Sequence, residues 1–117
     1  MAIPSGSGTE VLKRASIHAL TDSSQILING VANHIYTILS VIFCEQSGGA
    51  EQVYMQVDIS AAGSNEIFLL EKQDIPADGT FVWSDRFVMT GTDELQVFTE
   101  NSTDIDVYCT YIDQDWS

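Results

Sequence analysis

The side chains that could carry chemistry are two histidines, two cysteines and 17 acidic residues within a chain of 117 residues. No HxH, HxxxH or CxxC spacing joins His18, His34, Cys44 or Cys109, so no local pattern presents two metal ligands on one face of a helix or strand. Each histidine is therefore interpreted as a structural or surface residue. We expect no metal ligands.

Two pairs of aspartates stand near the C-terminus. Asp104 and Asp106 alternate with apolar residues, which is typical of side chains on the solvent face of a strand. A calcium loop would need more oxygen ligands and a glycine at a set position. Asp113 and Asp115 resemble metal ligands equally weakly.

Motifs for covalent catalysis and phosphate binding are absent from the sequence. There is no GxSxG, no catalytic-cysteine context, and no GxxxxGK[ST] or GxGxxG loop. We therefore predict no catalytic residues and no cofactor, and we interpret the chain as a protein that is not an enzyme.

Charge narrows the set of partners. With 17 acidic against 4 basic residues, the formal charge is −13, which repels phosphate and argues against nucleic acid as a partner. No apolar run is long enough for a membrane span. The N-terminal residues lack the charged-then-apolar pattern of a secretory signal, so we expect synthesis in the cytoplasm and free thiols at Cys44 and Cys109.

Short apolar segments alternate with turn residues from Ile67 to Tyr111, and they are rich in β-branched and aromatic residues. The Asn29-Gly30 dipeptide is typical of a hairpin turn. Neither an internal repeat nor a domain boundary interrupts the pattern. We predict an all-β chain that forms a single antiparallel β-sandwich, jelly-roll-like, with about eight strands and an extended N-terminal arm.

The arm is predicted over residues 1–14, with the sandwich domain over residues 15–117. Glycine, serine and proline dominate the first nine residues, a composition typical of flexible extended chain or of a frayed terminus. Lys13 and Arg14 supply half of the positive charge at its inner end, and residues 11–20 alternate loosely as a strand would. The candidate partner-binding residues of the arm are Ile3, Pro4, Val11, Leu12, Lys13 and Arg14.

The segment from His34 to Cys44 is apolar at both odd and even positions, which indicates a strand covered on both faces. Such a strand is either central in the core or part of a subunit contact. Tyr36 and Ile38 are therefore candidate interface residues. Trp116, second from the end, is a third candidate, because a large aromatic side chain there is expected to dock against the body or a neighbour.

Three segments carry a resemblance to a known group of proteins. PSGSGTEVL (Pro4 to Leu12), IPADGTFVWSDRFVM (Ile75 to Met89) and YIDQDWS (Tyr111 to Ser117) resemble small structural proteins from the virions of tailed bacteriophages. The resemblance implies a non-enzymatic virion component, a β-sandwich preceded by an arm, bound in many copies to a larger shell or tube.

What the resemblance implies most directly is a capsid decoration or cement protein on the outer capsid surface. Its expected partners are the major capsid protein or another virion protein and further copies of itself, with a trimer as the favoured oligomer. A neck or tail-associated component is the alternative within the same class. A carbohydrate-binding host-attachment module is the alternative from another class, with Tyr54, Trp83, Tyr108 and Trp116 as candidate stacking residues.

Overall fold

The computed structural model describes residues 8–101 and 104–117. These residues form nine strands and one short 3-10 turn at Ile59–Ala61. The strands are β1 (Thr9–Ile17), β2 (Gln25–Asn29), β3 (His34–Glu45), β4 (Glu51–Asp58), β5 (Glu66–Ile75), β6 (Thr80–Trp83), β7 (Phe87–Thr90), β8 (Glu94–Thr99) and β9 (Ile105–Asp115). Within the described ranges, no helix has the length and apolar character needed to cross a membrane.

The strands form two antiparallel sheets. The first has the order β1-β9-β3-β6, and β7 also pairs with β3; the second has the order β2-β8-β4-β5. β6 pairs with residues 41–44 of β3 and β7 with residues 35–38, so together they form one interrupted edge strand. Counted this way, eight strands make two four-stranded sheets, which is the arrangement of a jelly roll. The predicted fold class is confirmed.

A register shift in β3 explains why that strand is apolar at both odd and even positions. The irregularity lies between Ile38 and Ser40 where β3 pairs with β9, and it reverses the alternation of side chains along the strand. Tyr36 and Ile38 point into the core before the shift, and Val41 and Phe43 point into it afterwards. Tyr36 and Ile38 are 3% and 0% exposed, so contrary to the prediction they are not available for a subunit contact.

The core between the sheets is one continuous cluster of apolar side chains. Both sheets contribute through regular alternation, which is clearest in β8, where every second residue is buried. The largest fully buried apolar side chains are Phe43, Leu20, Ile38, Met55, Ile75, Met89, Leu95 and Ile105.

The two cysteines lie on opposite faces of the first sheet. Cys109 is fully buried opposite Val41, whereas Cys44 lies three residues further along β3, opposite Asp106. Three residues of strand separate the two positions by about 10 Å, which is too far for a disulfide. Both are free thiols, and burial raises the pKa of Cys109 to about 12.

The Asn29-Gly30 dipeptide does not form the predicted hairpin, because β2 and β3 belong to different sheets. The chain crosses between the sheets here, and the Gly30 N–H donates to the Asp93 carbonyl at 2.9 Å. A Cβ at position 30 would lie 2.2 Å from the Gly91 carbonyl oxygen. Glycine is therefore required by a close approach of two backbone segments rather than by a tight turn.

The N-terminal strand alters the predicted arm. β1 pairs with β9 along its whole length, from Thr9 opposite Asp115 to Ile17 opposite Val107. Residues 9–14 therefore belong to the sheet, and the predicted boundary after residue 14 falls inside β1. The strand predicted in this region is present. Ile3 and Pro4 lie outside the described residues.

One buried carboxylate organises the turns at one end of the sandwich. Glu45, at the end of β3, is 1% exposed. It accepts hydrogen bonds from the N–H groups of Ser47, Gly48 and Asp78 and from the Ser47 hydroxyl. The Ser47 hydroxyl bond and these backbone donors outweigh the opposing effect of burial, and they lower the pKa of Glu45 to about 2.

Replacing Glu45 by glutamine is expected to lower the melting temperature by several degrees at pH 7, because one acceptor oxygen becomes an amide that cannot accept from the loop. Since the pKa of Glu45 is lower in the folded chain, its contribution is fully present above the ordinary value of 4.5 and is lost as the pH falls toward about 2. The difference between wild type and Glu45→Gln should therefore shrink across that window in thermal unfolding curves. The exposed Glu71→Gln is the control; an equal loss in both variants would contradict the assignment.

Candidate interaction surface

The outer face of the first sheet exposes apolar side chains in register. Tyr108 on β9 lies opposite Ile42 on β3, and Ile42 lies opposite Val82 on β6. Their exposed fractions are 43%, 36% and 51%. Neighbours in adjacent strands are about 5 Å apart, so these three form a continuous apolar row across the sheet.

A second row crosses the same face four residues away along β9. It runs from Leu12 on β1 through Ile112 and Thr37 to Val88 on β7. Leu12 is 68% exposed and Val88 57%. We call the two rows together the outer face of the first sheet.

This outer face is poor in charge, although the chain as a whole carries −13. On the paired strands β1, β9 and β3, the charged residue between the two rows is Arg14, opposite Thr110. At the β6/β7 edge, the exposed Asp85 and Arg86 lie between Val82 and Val88 along the chain and carry opposite charges. Acidic side chains stand at the two ends of the face, at Glu10 and Asp106. An exposed apolar patch with a polar border is typical of an interaction surface.

β1 is held in the sheet by an ionic cluster on its inner side. The Lys13 ammonium donates to Asp113 Oδ2 at 2.8 Å, and His34 Nδ1 lies 2.7 Å from Asp113 Oδ1. Burial of Asp113 opposes its ionisation, but the hydrogen bonds from Lys13 and His34 outweigh it and hold the pKa of Asp113 below its ordinary value. The same bond to Asp113 raises the pKa of Lys13.

The structure separates the predicted arm residues into different roles. Leu12 and Arg14 lie on the outer face, and Val11 is 47% exposed at the sheet edge. Lys13, a further candidate partner-binding residue, forms an ion pair with Asp113 of its own chain and is 45% exposed.

Trp116 docks against its own chain. Its backbone N–H donates to the Asn33 carbonyl at 3.0 Å, and its indole ring covers Gly8 so closely that a Cβ there would lie 2.8 Å from ring atoms. This is one of the two arrangements expected for Trp116, and it places the C-terminal residues beside the start of β1.

The four predicted stacking residues do not come together. Trp83 points inward, packs edge-on against Phe87 at 6.3 Å and donates to the Asp85 carbonyl. Tyr108 and Trp116 lie elsewhere on the first sheet. Tyr54 lies on the second sheet, stacked on Phe98 at 4.5 Å.

An aromatic cluster around Tyr54 was missed by the sequence reasoning. Besides Phe98, the ring of Phe68 meets Tyr54 edge-on at 6.3 Å. The Tyr54 hydroxyl bonds to Glu100, which raises the pKa of Tyr54 to about 12. Alternation placed Tyr54 outward, but it could not show that β5 and β8 flank β4 and bring these rings together.

The sequence also did not show that three potential metal ligands lie close together. His18, immediately after β1, lies beside Asp104 and Asp106 at the start of β9, with ligand atoms of all three within 4.8 Å of one another. Nearly 90 residues separate His18 from this pair in the sequence, so only the pairing of β1 with β9 brings them together.

No protein-family model and no curated protein matches the chain. Solved structures do. A chain from a Bacillus endospore appendage, described as a disulfide-linked pilus, superposes with a TM-score of 0.59 at 14% identity, covering 100% of this chain and 97% of that one. A chain of the acid-stable capsid of Helicobacter pylori bacteriophage KHP30 gives 0.53 at 10%, covering 95% of each chain.

A third match is a chain of the T13 IBDV viral particle, with a TM-score of 0.56 at 6% identity. It covers 92% of this chain but 31% of the viral chain, so the likeness is to one part of a larger protein. At these identities the similarity shows a shared fold. The jelly roll of this chain is thus one that also occurs in pilus and capsid proteins.

Asp113→Asn is expected to lower the free energy of unfolding at pH 7 by about 2 kcal/mol, because it leaves Lys13 and His34 without their shared anion. The loss stays below that of a fully buried pair because Lys13 is 45% exposed. As the folded-state pKa of Asp113 is lowered, its contribution is present above the ordinary value of 3.8 and is lost as the pH falls below it.

Urea unfolding measures the free energy of unfolding of Asp113→Asn. Hydrogen exchange of the β1 amides shows whether the loss of stability lies in this strand. The exposed Asp85→Asn is the matched control. Unchanged protection of the β1 amides in Asp113→Asn would show that the cluster does not hold this strand.

Proposed function

We propose that this chain is a structural protein of a bacteriophage virion, and specifically a decoration or cement protein that rests on the outer capsid surface through the outer face of the first sheet. The observation that carries the proposal is the apolar, charge-poor outer face on a chain of charge −13. A sheet face with few charges does not suit a charged ligand. It suits contact with the surface of another protein.

Electrostatics favours this orientation. Neighbouring copies at −13 repel one another, so attachment depends on apolar burial rather than on attraction between copies. An acidic surface also suits the outside of a DNA-filled particle better than the inside. Many weak contacts repeated over a lattice then add up through avidity to reinforce the shell.

The structural neighbours support the same class. They come from a Bacillus endospore pilus and from a bacteriophage capsid. The resemblance of three segments to phage virion proteins points the same way. The partner in this proposal is the major capsid protein or another virion protein, and the chain forms a homo-oligomer, with a trimer favoured.

Contacts to the shell are assigned by exposure. Leu12, Arg14 and Val11 on β1 extend the outer face to the sheet edge. Ile3 and Pro4 are proposed as further contacts that lie on the shell. Trp116 contributes by fixing the end of the chain beside Gly8, next to the start of β1.

The test is binding of purified protein to undecorated shells by co-sedimentation. Leu12→Asp and Val82→Asp are each expected to reduce occupancy at least about tenfold, because attachment would bury an unpaired carboxylate. Ile26→Asp is the matched control, since Ile26 is 48% exposed on the second sheet.

A map of the particle supplies the second measurement. Copies approaching the number of shell subunits, with the outer face of the first sheet turned inward, would agree with the proposal. A ring of few copies at the neck or tail would overturn the decoration role and keep the virion role. Absence from purified particles would overturn both.

A second candidate, a carbohydrate-binding module for host attachment, is favoured by the aromatic cluster of Tyr54, Phe68 and Phe98. Phe68 is 49% exposed. An exposed aromatic ring can stack on the face of a sugar. Glycan titration followed by NMR would shift the ring resonances of Phe68, Tyr54 and Phe98 in this case, and Phe68→Ala would abolish the shifts of Tyr54 and Phe98. Unmoved ring resonances across a glycan panel would exclude it.

A further inference from the structure

Three potential ligands meet where β1 ends and β9 begins. His18 Nδ1 lies 2.6 Å from Asp106 Oδ1, and ligand atoms of His18, Asp104 and Asp106 all lie within 4.8 Å of one another. The group borders a cavity of about 280 Å³ on the outer side of the sheet, lined also by Ile42 and Tyr108.

The backbone around this group is fixed by long-range hydrogen bonds. Ala19 adopts a left-handed conformation with φ 58°, and its N–H donates to Asp106 Oδ1 at 3.0 Å. The Leu20 N–H donates to the Ile105 carbonyl at 2.8 Å, and Leu20 is 1% exposed in the core. These bonds hold the segment after β1 against the start of β9.

On the other side, the Gln46 N–H donates to the Asp104 carbonyl at 2.8 Å, and the Gln46 amide bonds to Asp106 Oδ2. These contacts hold the backbone of Asp104 and the side chain of Asp106, and the His18 side chain beside them is 79% exposed.

One carboxylate oxygen in this group lacks a donor. Asp104 Oδ1 is buried and accepts no hydrogen bond within the described residues. Over the same ranges, no lysine or arginine forms an ion pair with Asp104 or Asp106. A buried carboxylate oxygen without a hydrogen bond or a cation is costly. The arrangement is therefore incomplete, and a positive charge would complete it.

We propose that His18, Asp104 and Asp106 bind a divalent transition-metal ion of the zinc class. An imidazole nitrogen with two carboxylate oxygens is a ligand set that zinc accepts, whereas calcium and magnesium prefer oxygen ligands alone. Three protein ligands leave one position of a tetrahedral site for water or for a side chain of a neighbouring protein. The site does not depend on the proposed virion role.

The first test is titration of the chelator-treated full chain with zinc chloride at pH 7 by isothermal calorimetry. One zinc per chain is expected. His18→Ala and Asp104→Asn should each weaken binding at least about tenfold, which is the range found for residues that support a metal site. Asp85→Asn, which removes the same charge from an exposed position, should bind zinc as wild type does.

Thermal unfolding separates a metal site from a merely structural role. Without metal, Asp104→Asn should be at least as stable as wild type, because it removes the charge from a carboxylate whose Oδ1 is buried without a hydrogen bond. Zinc should raise the melting temperature of wild type, and at the same zinc concentration it should raise that of Asp104→Asn by less.

Four outcomes would overturn the proposal. These are no stoichiometric zinc binding, zinc binding that survives both substitutions, calcium binding in its place, and a metal-free Asp104→Asn that is less stable than wild type.

Discussion

The position of the last strand is the constraint on which the rest of the structure depends. β9 lies between β1 and β3 and pairs with both over nearly its whole length. It joins the two ends of the chain and forms the centre of the first sheet. Tyr108 and Ile112 on the outer face, Asp113 in the ionic cluster and Asp106 beside His18 are all carried by this one strand. Its contacts span most of the sequence, so they form only when the chain closes on itself.

Acidic residues serve the fold as well as the surface. Besides Glu45, the buried Asp58 accepts from the Gly63 N–H, and the buried Asp93 accepts from the N–H groups of Ser60 and Thr90. Each carboxylate takes the place of a missing strand partner at a point where the chain turns. Part of the −13 charge is therefore tied to turn geometry, because these carboxylates accept hydrogen bonds from backbone N–H groups at the turns.

The outer faces of the two sheets differ in the side chains that they expose. The first sheet presents two apolar rows across β1, β9, β3 and the β6/β7 edge, with acidic side chains at the ends. The second sheet presents an aromatic and amide surface around Tyr54. Because repulsion between copies is strong, a charge-poor face is the one that can approach another protein closely. The two faces thus differ in chemistry, and the apolar rows of the first sheet are the basis of the proposed attachment to another protein.

The sequence by itself determined the all-β class, the strand segments and the acidity, because alternation, turn residues and net charge are local or additive properties. Alternation agrees with the burial of β8, where every second residue is buried, but not with that of β4, where Gln56 and Asp58 are buried as well as their neighbours. The sequence could not determine the direction of Tyr36, Ile38 and Ile42, because a single register shift in β3 reverses which side each residue faces. Nor could it show that Gly30 serves a crossing between sheets, that Lys13 is paired with Asp113, or that His18 meets Asp104 and Asp106. Those facts depend on which distant strands pair, and only the tertiary structure decided that.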